Sequence, residues 1–76
     1  MTKEEFKKQM MLTMKLARAI IETVHETADS MGAPEGPIYL AMQQYGISID
    51  QYQELIDLCV KSGKIKRGPF HTLHPA

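Results

Sequence analysis

Between Ser48 and Gly63 the chain carries the start, the buried face and the stop of a single helix, the most tightly specified element in the sequence. Ser48 and Gln51 are spaced as a capping box, in which each side chain takes up a backbone N–H that the first helical turn leaves unpaired. Ile47 and Tyr52 occupy the two positions of a hydrophobic staple. Tyr52, Leu55, Ile56, Cys59 and Val60 then fall at i, i+3, i+4, i+7 and i+8, the spacing of one buried stripe. Gly63 stands where a left-handed C-cap favours glycine, with Ile65 beyond it to fold back on the helix end. The pattern predicts a helix over residues 49–62. After Gly63 the period shortens to alternation on both sides of Gly68-Pro69, which predicts a β-hairpin. Pro69 fits poorly at the second centre of a two-residue turn, so a loop of about four residues is expected.

Gly46-Ile47-Ser48, the helix with Tyr52, Leu55-Ile56 and Val60, then Ser62-Gly63-Lys64-Ile65 and a basic hairpin together resemble the second half of a winged helix-turn-helix domain. The resemblance runs from Pro34 onward. It implies a mainly α fold with a long N-terminal helix, two further helices and a C-terminal β-hairpin wing. Residues 49–62 would then be the recognition helix and residues 64–74 the wing. DNA contacts implied by the resemblance fall on Ser48, Gln51 and Gln53 at the helix start and on Lys64, Lys66 and Arg67 of the wing. Gln can read adenine edges and Arg guanine edges.

Seventy-six residues make one domain. A chain this short buries only about 60% of its unfolded surface, so self-association would add useful burial. An apolar fraction of 43% and a charged fraction of 24% are those of an ordinary globular protein rather than a disordered tail. Nine bases balance nine acids, so attraction to nucleic acid has to come from local patches. No stretch approaches the ~20 apolar residues of a membrane span and no signal-peptide pattern is present, which makes the cytoplasm the expected compartment.

Thr2 and Glu5 form a second capping-box pattern, opening a helix that meets no Gly or Pro before Gly32. That is about 28 residues, or about 42 Å. Met10, Met14, Ala17, Ile21, Val24, Ala28 and Met31 alternate spacings of four and three along one seam, while Phe6, Met11, Leu12, Leu16 and Ile20 widen the apolar arc beyond it. One small domain cannot cover both. A homodimer through residues 1–31 is therefore expected, with Met10, Met14, Ala17, Ile21, Val24 and Ala28 in contact. Lys3, Lys7, Lys8, Lys15 and Arg18 precede Glu22, Glu26 and Asp29, an order that opposes the helix dipole and that an antiparallel partner would offset. Gly32 to Pro37 reads as a turn into a short second helix over residues 37–45, closed by Gly46.

No set of residues for catalysis assembles. Cys59 lies on the buried stripe without an activating base, and Asp50, Glu54 and Asp57 share an exposed face without a cleft. His71 and His74 are three apart on an expected strand and so face opposite sides, which disfavours metal chelation. No enzyme activity, cofactor or metal is expected. Two readings of function remain. One is a DNA-binding transcriptional regulator, opposed by Asp50, Glu54 and Asp57 on the face that would meet phosphates. The other is a protein-interaction or assembly module on the same scaffold that does not read DNA, with Leu58, beside Gln51 and Glu54, as a contact.

Overall fold

The computed structural model describes residues 2–76. Three helices, α1 (Lys3–Thr27), α2 (Glu35–Gln43) and α3 (Ile49–Lys61), carry a small antiparallel sheet of β1 (Ala33–Pro34), β2 (Ile65–Gly68) and β3 (Thr72–Pro75), ordered β1-β3-β2.

α3 has the ends that its sequence signals require. Ser48 Oγ accepts from the Gln51 amide at 3.2 Å, and Gln51 Oε1 accepts from the Ser48 amide at 2.9 Å, completing the box. Gly63 takes the left-handed conformation at φ 77°. Tyr52, Leu55, Ile56 and Cys59 are buried together with Ile65, which turns back under the helix end.

α1 is shorter than expected, 25 residues rather than about 28. The hydroxyls of Thr23 and Thr27 donate to the carbonyls of Ala19 and Thr23, at 2.8 and 2.7 Å, competing for the groups that propagate the helix. Ala28 is already extended, and Asp29 Oδ1 accepts from the Met31 amide at 2.8 Å in a turn that ends at Gly32. Ala28 and Met31 therefore lie outside the helix that was expected to align them with the seam.

β1 corrects the expectation of a plain turn between the first two helices. Ala33 pairs with Leu73 and Pro34 with Thr72. Pro34 is tolerated because β1 is the outer strand and a missing donor costs nothing on an open edge. The Glu35 amide donates to the His71 carbonyl at 2.9 Å, so α2 starts two residues earlier than expected and its first amide is taken up by the hairpin. Gly36, expected in the turn, is helical.

The hairpin reverses over three residues, Pro69 to His71, rather than about four, because Gly68 pairs with Thr72 as the last rung. Phe70 and His71 both adopt positive φ, 57° and 55°, to close it. His71 is thus a turn residue and not part of a strand.

The core gathers Leu16, Ala17, Ile20 and Val24 of α1, Ile38 and Met42 of α2, the α3 stripe, and Ala33, Ile65 and Leu73 of the sheet. Tyr52 stacks edge-on against Tyr39, with ring centroids 5.1 Å apart, and its hydroxyl donates to Glu35 Oε1 at 2.9 Å, fastening α3 to the start of α2. Burial first, then this bond, holds the phenol protonated well above the usual tyrosine range.

Every α1 residue in the core comes from position 16 or later. Residues 3–15 are all exposed, a stretch of about 20 Å of helix that overhangs the body of the molecule. The long dimension of 44 Å and a radius of gyration of 12.7 Å, against about 11 Å for a compact chain of this length, reflect that overhang.

Candidate functional site

Two surfaces meet at α3. On one flank lies the β2–β3 hairpin, and on the other a cleft against the α1 overhang.

Lys61 at the end of α3 and Lys64, Lys66 and Arg67 beyond it are exposed, and residues 61–76 contain no acid. The exposed face of α3 is the reverse: Asp50, Glu54 and Asp57 stand there, and residues 46–60 contain no base. Arg67 Nη2 donates to Asp57 Oδ1 at 2.6 Å, a solvent-accessible ion pair. Such pairs contribute about 0–1 kcal/mol, so the guanidinium is biased toward α3 without being locked there. The hairpin tip presents Phe70, 91% exposed, which sequence reasoning assigned only to a strand.

The six residues implied as DNA contacts differ in freedom. Gln53, Lys64 and Lys66 are exposed with no side-chain partner among the described residues' hydrogen bonds and ion pairs. Ser48 and Gln51 spend their oxygen atoms on the capping box, and Arg67 is paired. A bidentate contact from Gln to adenine needs the amide oxygen and nitrogen together, so Gln51 as it stands offers half of one.

The cleft, about 620 Å³, runs between residues 9–16 of α1, the 45–47 turn and residues 51–58 of α3. Leu12, Leu16, Ile47, Leu55 and Leu58 line it, and Glu54 is its single charged lining residue. Gln51, the candidate reader, lines it too. Tertiary packing alone brings these segments together, so no local pattern announced the cleft, although Leu58 beside Glu54 and Gln51 marked its α3 wall.

The expected dimer seam is divided by the fold. Ala17 and Val24 are buried in the chain's own core, and Ile21 and Ala28 pack partly against it. Those four positions are used within one copy, and of the six only Met10 and Met14 remain largely open, at 50% and 62% exposure. Their exposed apolar neighbours on the overhang are Phe6, Met11 and Leu12.

The remaining reactive groups are structural in placement. Cys59 is buried, its thiol pushed up by burial and directed at the Ala17 carbonyl. Thr72 Oγ1 donates to the Pro69 carbonyl at 2.7 Å and accepts from His74 Nε2 at 3.3 Å, while the His25 ring donates to the Lys64 carbonyl at 3.0 Å. Among the described residues no helix is long and apolar enough to cross a membrane.

Compared with other proteins, the chain matches no family model, no curated protein and no solved structure.

Proposed function

We propose that this chain is a winged helix-turn-helix protein that binds duplex DNA as a homodimeric regulator, and that it holds the duplex chiefly through the β2–β3 wing rather than by base reading from α3. The scaffold reading is supported by α2 and α3, joined by a short turn and followed at once by a hairpin that packs beside α3. One observation carries the assignment of the wing: every base after residue 60 lies between Lys61 and Arg67, while the exposed face of α3 is acidic. Phosphate attraction therefore comes from the wing, and α3 approaches DNA only as far as its acids allow.

The test is fluorescence anisotropy of a labelled mixed-sequence duplex at ~50 mM salt, where nonspecific contacts are strong. Wild-type chain should bind. Lys66→Glu with Arg67→Glu should abolish binding, and Asp50→Asn should leave it intact or strengthen it. Asp57→Asn should strengthen it further, because it frees Arg67 as well as removing a repelling acid.

The alternative is an assembly module on this scaffold that does not read DNA. Its specific support is the open cleft, lined by Leu12, Leu16, Ile47, Leu55 and Leu58 together with polar side chains. Absence of wild-type binding in the same experiment would favour it.

A further inference from the structure

The tip of the wing holds the most exposed large apolar side chain among the described residues. Phe70 is 91% exposed and belongs to no core, and no other large apolar side chain after residue 60 is exposed. Its backbone is left-handed, as is that of His71, a conformation that an L-residue adopts only at a cost. The loop is fastened on both sides of the ring. The Thr72 hydroxyl donates to the Pro69 carbonyl at 2.7 Å, and the Glu35 amide of α2 donates to the His71 carbonyl at 2.9 Å. Pro69 fixes a further backbone angle. A strained loop that the surrounding structure holds in place, with an aromatic ring left in solvent at its apex, points to a use outside the fold.

Cations flank that apex on both faces of the hairpin. Arg67 pairs with the fully buried Leu73, so by strand alternation it stands on the face turned toward α3, where it meets Asp57. Lys66 pairs with His74 on the opposite face. Three and four residues from Phe70, they lie within about 11 and about 14 Å of it along the chain, roughly three to four base pairs of duplex. No acid follows Asp57 in the sequence.

We propose that Phe70 is a wedge that enters between stacked base pairs of duplex DNA, while Lys66 and Arg67 hold the phosphates that border the opened step. This rests on the wing reading above and adds to it a contact with the bases. The body of the hairpin, two strands about 4.8 Å apart with their side chains, is too wide for a minor groove of about 6 Å, whereas one ring at the apex enters it. An apolar wedge of this kind unstacks the step and kinks the duplex, so it favours flexible pyrimidine–purine steps such as TA. Sequence preference then arises from deformability, with no base read by α3. A membrane surface suits the tip less well, because binding there scales with buried apolar area and Phe70 has no exposed large apolar neighbour in the hairpin.

The test uses the full chain and an end-labelled duplex of alternating TA steps, in which 2-aminopurine replaces one central adenine and brightens when it leaves the stack. Anisotropy at ~50 mM salt reads affinity, and the 2-aminopurine emission reads unstacking. Wild type should bind and raise the emission. Phe70→Ala should weaken binding about tenfold and leave the emission flat, with the salt slope unchanged because no phosphate contact is lost. Phe70→Trp, which keeps a wedge, should restore both. The ring is exposed, so these variants should keep the fold, which circular dichroism checks. Wild-type binding with flat emission, or Phe70→Ala binding as tightly as wild type, overturns the wedge and leaves the wing reading standing. No binding by wild type overturns both, and Phe70-dependent binding to vesicles of mixed neutral and anionic lipid in that case assigns the tip to a membrane surface.

Discussion

His74 shows how a single side chain fixes the chemistry of residues around it. Its ring lies over the sheet against Gly32 and Gly68, where an added Cβ at either position would collide with the imidazole. Gly68 would also meet the Thr72 hydroxyl. Gly68 is therefore a spacing residue within β2 and not a turn residue, and the work of reversing the chain passes to Phe70 and His71. Left-handed backbone costs an L-residue roughly 1–2 kcal/mol, and the three-residue loop accepts that cost twice. Gly68→Ala should destabilise the fold by about 1–3 kcal/mol through overpacking. Adding His74→Ala to that variant should recover part of the loss, because it removes the larger of the two obstructions. Urea denaturation of the single and double variants measures both, and a Gly68→Ala midpoint equal to wild type would contradict the packing described.

At the scale of elements, α3 depends on its ends. Replacing Ser48 with Ala should lower stability by about 1 kcal/mol, since it removes one side of the capping box. An unchanged denaturation midpoint would contradict a helix start at that residue. The ends and stripe of α3 were legible because local chemistry writes them: a capping pair, a 3.6-residue period and a glycine. Other boundaries were not written locally. α1 stops at Thr27 through threonine back-bonding and the Asp29 turn, neither of which interrupts the apolar period. β1 is two residues long and contains a proline, so its existence depends on Leu73 and Thr72, 40 and 38 residues further along the chain from their partners, reaching it. The division of α1 into a buried half and an exposed half was equally hidden. Ala17 and Val24 fit a dimer seam and a monomer core equally well by period, and only the position of α3 and the sheet decides between them.

The whole molecule is an unequal pair of surfaces on one helix. Toward the wing, α3 faces bases, and toward the overhang it faces a cleft of mixed leucine and polar lining with an acid on its wall. With the wing as the DNA contact of a homodimer, dimerisation doubles the phosphate contacts without requiring α3 to read sequence. Two to four phosphate contacts per copy give the dimer a log–log salt slope of roughly −4 to −7, from about 0.9 per neutralised phosphate. A variant that is monomeric should show about half that slope. The most direct measurement is therefore the affinity of the wild-type chain for duplex DNA across ~50 to ~200 mM salt. The account predicts measurable binding with a slope in that range, lost in the Lys66→Glu, Arg67→Glu chain, whereas no binding at the lowest salt, or binding that survives reversal of the wing charge, would contradict it.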